Sequence, residues 1–319
     1  MRLGRTAVGL LVLVAGAALL VWYIDRVGHD AIVRGLSAVG AGFLVILLAS
    51  LLRYAARAVA WIALLRTPAP FARVLAATIG GDAIGVVTPL GVLVGEPAKA
   101  IYLNREVGST GTLAPLAAEN FFYGVSLAIY ILLGAGAMLL AFSLPDAMRT
   151  AGVISVTAVA AGLLVAGWMA WRRPAVVSAA VSALPFSRLR SALDRIQEFE
   201  RATYGSATAP GAQLVRVLAA QASFHLLSFL EAWYTLWLLT GASLPLEAFV
   251  LDAFGRVSNI IFRVVPLRIG VDQAGAGVVA QAIGLDPVIG VSLSLVRTAR
   301  LLAWVIIGIT LVGRQVKQR

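Results

Sequence analysis

Arg297 and Arg300 stand three residues apart on one face of an apolar run, 288–313, that is long enough to cross a bilayer. Arg297 lies nine residues after Val288, roughly 14 Å in at the helical rise. Arg300 lies fourteen residues before Arg314, roughly 20 Å from the other end. An arginine snorkels about one turn, ~5 Å, so neither reaches an interface. Facing lipid, each would cost about 2.5–3.5 kcal/mol, so both must face the protein interior. Two kinds of chemistry are open to them there. A planar donor fork can hold an anion such as a phosphate headgroup. Alternatively, a buried ion pair with Glu231 or Asp272 only locks helices together.

Other charged groups raise the same choice. Arg53 and Arg57 form an i, i+4 pair. The apolar run before Arg53 begins near Val39 and is short for a span, which places Arg53 in the inner part of the membrane. The alternative is that the stretch RYAARAVAWIALLR is an interfacial helix on the cytoplasmic face. Gly95-Glu96-Pro97 reads as a helix start, with Lys99 at i+3 from Glu96; an anion could sit there, or Glu96 could cap the helix or pair with Lys99. Asp82, Glu119 and Asn120 are further polar groups near the same place, and Arg263 adds a basic one near Pro266. His225 and Glu231 fall mid-span, as a proton relay or as a hydrogen-bonded packing pair.

The elements that would position these groups are unusual for a membrane. Residues 78–106 and 252–286 are apolar overall, yet both are broken by glycines, a central proline (Pro89, Pro266) and an acid just beyond (Gly95-Glu96; Gly270-Val271-Asp272). Proline and glycine free backbone groups that lipid cannot satisfy, so such segments must face protein or a watery cavity. Two Gly/Pro-broken segments at corresponding places in two halves are a pointer to a transport site.

The rest of the chain is a membrane protein by composition: 60% hydrophobic, 13% charged and without cysteine, at a mean hydropathy of +0.92. Thiol chemistry and disulfides are thereby excluded, and the two histidines have no metal-ligand spacing. No cofactor is expected. The net charge of +11 sits mostly in loops between apolar runs, without interleaved aromatics, which points to anionic lipid headgroups and not to nucleic acid. Apolar runs near 6–24, 39–58, 121–142, 150–171, 212–240 and 288–313 predict about six transmembrane helices, the first a retained signal-anchor within 1–38. Basic residues put both termini on the cytoplasmic side, together with an amphipathic stretch, 174–205, inside a connecting region 143–211. On that topology 71–105 and 247–286 are re-entrant hairpins dipping in from opposite faces. Halves 39–142 and 212–313 then form an inverted repeat ahead of the basic tail 314–319, in an all-α polytopic membrane fold. A four-residue echo, Gly124-Val125-Ser126-Leu127 and Gly290-Val291-Ser292-Leu293, follows the two hairpins.

The sequence Gly81-x7-Pro89-x5-Gly95-Glu96-Pro97-x-Lys99, with Glu119 opening a span, resembles the lysylphosphatidylglycerol synthase transmembrane region, or flippase-like family. So does Pro266-x3-Gly270-x-Asp272 followed by Gly284-Leu285 and Arg297. The likeness covers roughly 40–313. The chain departs from it at Asn120, where arginine is usual, at Asp272, where glutamate is usual, and at Leu267-Arg268-Ile269, where a glycine-rich turn is usual. The resemblance implies transbilayer movement of a charged lipid in the cytoplasmic (inner) membrane of a bacterium. The lipid would be an anionic or aminoacylated phospholipid or a polyprenyl-linked headgroup, and a homo-oligomer or a lipid-modifying enzyme are the protein partners to expect. The soluble acyl-transfer domain of full-length synthases is not part of these residues.

Three function classes follow. A translocator would use Arg297, Arg300, Arg53 and Lys99 as an arginine-lined cavity. A membrane enzyme would use Gly124-Val125-Ser126 with His225 as a serine hydrolase, though the pair has no third group. A scaffold would anchor a partner through 172–205. No G-x4-G-K-[ST] loop is present, so movement would be passive or ion-coupled, with Asp82, Glu96, Glu119, Glu231 and Asp272 as proton carriers to choose from.

Overall fold

The computed structural model describes residues 37–88, 91–107, 109–172, 211–262, 268 and 270–317, with 197, 201 and 205 as isolated positions. The expected first span 6–24, Pro89, Arg263, Pro266 and nearly all of the basic stretch 174–205 lie outside the described residues.

What is described is all-helical: α1 (Gly42–Leu64), α2 (Phe71–Val87), α3 (Gly91–Val107), α4 (Ser109–Ala141), α5 (Asp146–Arg172), α6 (Gly211–Thr240), α7 (Pro245–Ile261), α8 (Val271–Ala282) and α9 (Pro287–Lys317). Five of them, α1, α4, α5, α6 and α9, are long and apolar enough to cross a bilayer, and they answer the expected runs from 39–58 onward. Their boundaries follow local chemistry. α1 stops at Leu64 because Pro68 and Pro70 force extended backbone, already visible at Leu65 (φ −67, ψ 136). α7 opens on Pro245, whose fixed φ suits a first helical position. Gly241, at φ +71, turns the chain between α6 and α7.

α1 runs unbroken past Arg53 and Arg57 to Leu64. The run before Arg53, short for a span on its own, continues through Arg53 in one helix, and the alternative reading of RYAARAVAWIALLR as a separate interfacial helix is corrected. Likewise α3 begins at Gly91, so Pro97 lies inside the helix and Gly95-Glu96-Pro97 is not its start.

Between the long helices lie two pairs of short ones. α2 and α3 pack on each other through glycines one turn apart, Gly81 and Gly85 against Gly91 and Gly95. A Cβ at Gly95 would lie 2.8 Å from the Gly81 carbonyl oxygen and 3.1 Å from Gly85 Cα. Gly95→Leu should therefore lower stability by about 1–3 kcal/mol through overpacking, read as a fall in unfolding temperature in detergent. α7 and α8 form the second pair, turning at Gly270 (φ +87), whose N–H donates to Gln273 Oε1 at 2.7 Å.

The two halves interlock. α1 packs against α6, α2 against α9, and α7 against α4. One apolar cluster (Ala58, Trp61, Val74, Ala77, Ala100, Leu103, Leu116) joins α1–α4, and another (Val250, Leu251, Val279, Ala280, Ile283, Leu293) joins α7–α9. Outward faces expose large apolar side chains such as Leu44, Leu133, Leu140, Leu164 and Ile306, as lipid contact requires. α5 packs mainly on α4 at the periphery.

Candidate functional site

The charged side chains inside the bundle fall into two groups, and α1 contributes to both. Arg57 and Arg53 lie one turn apart on its inner face, so each reaches a different cluster.

Arg57 belongs to the cluster of the first half. Its Nε and Nη2 donate to Glu119 Oε1 and Oε2 at 3.2 and 2.7 Å, a two-pronged pair that Gln221 joins at 3.1 Å. Arg57 Nη2 also donates to Asn120 Oδ1 (3.0 Å), while Asn120 Nδ2 donates to Glu96 Oε2 (2.7 Å). An amide can do both at once, which a guanidinium could not. Glu96 Oε1 and Asp82 Oδ1 then share Lys99 Nζ at 2.8 and 2.6 Å. Lys99 is 1% exposed, and its stem lies over Gly81, where any side chain would collide with it. Of the two readings of Glu96, the structure shows pairing with Lys99. Gly95 serves the close contact of α2 and α3. Among the carboxylates here, Asp82 and Glu96 are the more exposed, at 29% and 28% of their side chains.

Arg53 belongs to the second group. Its Nη1 lies 3.0 Å from Glu231 Oε2, and the other oxygen of Glu231 takes Arg300. Glu231 thus sits between two guanidinium groups from α1 and α9. Arg297 does not pair with Asp272 or Glu231. It donates to Asp252 Oδ1 at 3.2 Å and to the Leu251 carbonyl at 3.1 Å, in the space left by Gly255. Asp252 also receives Tyr130 (2.8 Å), Ser228 (3.1 Å) and Arg256 (3.2 Å). Asp272 receives Ser258 and, at 2.9 Å, Arg268. Arg268 has left-handed backbone (φ +51), uncommon for a residue with a side chain, and Asn259 Oδ1 holds its Nη1 at 2.8 Å.

Several of these residues line a small cleft of about 120 Å³, open in part to the surroundings. Arg53, Arg256, Arg268, Arg297 and Arg300 all face it, with Asp252, Asp272, Asn259, Ser294 and Thr298. Arg53, Asp272, Arg297 and Arg300 lie together along this cleft, with Gly270 two residues before Asp272. Arg57, Asp82, Glu96, Lys99, Glu119 and Asn120 form the neighbouring cluster instead, so Lys99 is not part of the arginine lining. Asp252, Arg256, Arg268, Tyr130 and Ser228 are the residues that sequence reasoning missed.

His225 and Glu231 do not pair. Six residues at 100° each put them about 240° apart around α6. His225 Nε2 instead lies 2.9 Å from Ser126 Oγ, its ring stacked near Tyr130. Ser126 Oγ also lies 3.0 Å from the Tyr123 carbonyl, an acceptor that competes with the imidazole for the hydroxyl proton. His225 Nδ1 is buried without a partner, so nothing orients the ring as a third group would. This geometry disfavours Ser126 as a nucleophile. Among the described residues, no group of His, Cys, Asp or Glu is arranged to hold a metal ion.

Neither the curated proteins nor the solved structures offer a match. The family model described as the lysylphosphatidylglycerol synthase TM region matches residues 7–309, nearly the whole chain. With its helices of membrane-crossing length and apolar outer faces, the chain is a multi-pass membrane protein belonging to that family.

Proposed function

We propose that the protein moves a charged lipid across the bilayer, with the headgroup passing through the arginine-lined cleft and the tails remaining in lipid. The observation that carries this reading is the cleft itself: five guanidinium groups converge on one polar space between otherwise apolar helices. A purely structural ion pair needs one arginine for each acid, and this cleft holds more arginines than acids.

An inverted repeat supports transport. The order long, short, short, long recurs in α1–α4 and α6–α9, and the cross-packing of α2 on α9 answers that of α7 on α4. A sequence echo sits at equivalent places: Asp82-Ala83-Ile84-Gly85-Val86-Val87 in α2 and Asp252-Ala253-Phe254-Gly255-Arg256-Val257 in α7. Ion pairs recur with the charges exchanged. Arg57 of α1 meets Glu119 of α4, and Glu231 of α6 meets Arg300 of α9. With the short pairs as re-entrant hairpins, α1, α4 and α5 make three crossings, so α6 starts opposite α1 and the halves are inverted. Such halves can rock about a fixed site to open it alternately to each side. On this reading both termini are cytoplasmic and the hairpins enter from opposite faces.

The test is transbilayer exchange in proteoliposomes carrying headgroup-labelled lipids, quenched from outside by dithionite. The parent should exchange lipid well above protein-free vesicles, and Arg297→Ala should lower the rate at least tenfold, since a charge-assisted contact contributes about 1.5–3 kcal/mol. Absence of exchange by the parent with every headgroup would overturn the proposal.

A further inference from the structure

Resting on the translocator reading, we infer that the cleft takes an anionic phosphate monoester headgroup with no ammonium of its own, in preference to an aminoacylated or zwitterionic headgroup. The charge balance argues this first. Five arginines face Asp252 and Asp272, with Glu231 bound between Arg53 and Arg300, which leaves an excess of two positive charges. A phosphate monoester carries about −1.5 to −2 at neutral pH and offers three acceptor oxygens, a closer match than a diester with one charge.

The hydrogen bonding argues it independently. Each carboxylate of the cleft is already taken. Asp252 accepts from Tyr130, Ser228, Arg256 and Arg297, Asp272 from Ser258 and Arg268, and Glu231 from Arg53 and Arg300. An ammonium would have to displace an arginine from its acid. The donors are in the opposite condition. Arg256 Nη2 and Arg53 Nε have no hydrogen-bond partner, their guanidinium groups resting on the rings of Tyr130 and Phe224 at 4.3 and 4.8 Å. Arginines lining the cleft that are not fully saturated by acids leave donors for the oxygens of a phosphate. The acids of the neighbouring cluster do not supply a seat for an ammonium in the cleft. They lie outside its lining and hold Lys99 and Arg57.

Binding to the full-length protein in detergent tests this apart from transport, as the rise in unfolding temperature with added lipid or anion. The probes are phosphatidate, phosphatidylglycerol, phosphatidylethanolamine, lysyl-phosphatidylglycerol and inorganic phosphate. Phosphatidate should bind at least tenfold more tightly than the zwitterionic and aminoacylated lipids, with phosphatidylglycerol between them. Arg256→Met should weaken phosphatidate at least tenfold, and Arg256→Lys, which keeps the charge beside Asp252 but not the fork, should weaken it less. Lysyl-phosphatidylglycerol binding as tightly as phosphatidate, or Arg256→Met leaving phosphatidate unchanged, would overturn the inference. Inorganic phosphate binding as tightly as phosphatidate would make the ligand a soluble anion and overturn its lipid part. Selective phosphatidate binding without exchange in vesicles would instead remove the translocator reading and leave the headgroup assignment standing.

Discussion

Glu231→Ala should cost the folded protein about 3–5 kcal/mol, enough to collapse expression or the unfolding transition in detergent. Glu231 is almost fully buried and lies between Arg53 and Arg300, whose helices, α1 and α9, come from different halves. Removing it leaves two guanidinium groups facing each other with no acid between them. Neither can swing to an interface, because both lie far from the ends of their helices. The loss should be partly reversed by a second substitution that removes one of the two cations, Glu231→Gln with Arg300→Met. That rescue separates charge imbalance from lost packing. Equal stability of the parent and Glu231→Ala would show that this acid does not hold the halves together.

Lys99→Met should be the other severe change, and for the opposite sign of charge. Lys99 is the cation shared by Asp82 and Glu96, and it is itself buried against Gly81. Methionine keeps most of the stem volume and drops the ammonium. Asp82 and Glu96 are then left close together without their counter-ion. Both are partly exposed, so water absorbs some of the cost, and a loss of about 2–3 kcal/mol is expected, below that for Glu231. Adding Asp82→Asn and Glu96→Gln to Lys99→Met should recover part of that loss in thermal unfolding, because the uncompensated charges are then gone. No recovery in the triple variant would mean that Lys99 acts through packing alone.

Much of this arrangement was legible in the sequence because charges in apolar runs have few places to go. Depth alone sent Arg297 and Arg300 inward, and i, i+3 spacing offered Glu96 and Lys99 as partners. The helical pairs 71–87 with 91–107 and 245–261 with 271–282 follow from the glycines and prolines that interrupt 71–105 and 247–286. Partner choice over long separations was not legible. Arg53 meets Glu231 across 178 positions, and nothing local in the sequence announces that. Asp252 and Arg256 lie fourteen and ten residues ahead of Pro266, away from the break that marks this segment in the sequence. The shared Asp-Ala-x-Gly of α2 and α7 was the signal that could have found them. The shorter Gly-Val-Ser-Leu echo misleads. Gly124 lies fifteen residues into α4 and Gly290 three residues into α9, so the two are not equivalent. Gly95-Glu96-Pro97 misled too. Proline favours a helix start, but the contact of Gly91 with Gly85 brings α3 in earlier. Arg268, which reads as a departure from a glycine-rich turn, is the residue that holds Asp272.

The absence of cysteine from the chain makes possible the most direct test of whether lipid passes through the cleft. Asn259 lines it and is exposed, so Asn259→Cys gives a single thiol at its edge. A bulky methanethiosulfonate adduct on that thiol should bring lipid exchange in proteoliposomes down to the protein-free rate, and a reductant that removes the adduct should restore it in the same vesicles. Exchange that continues unchanged with the adduct in place would contradict the account.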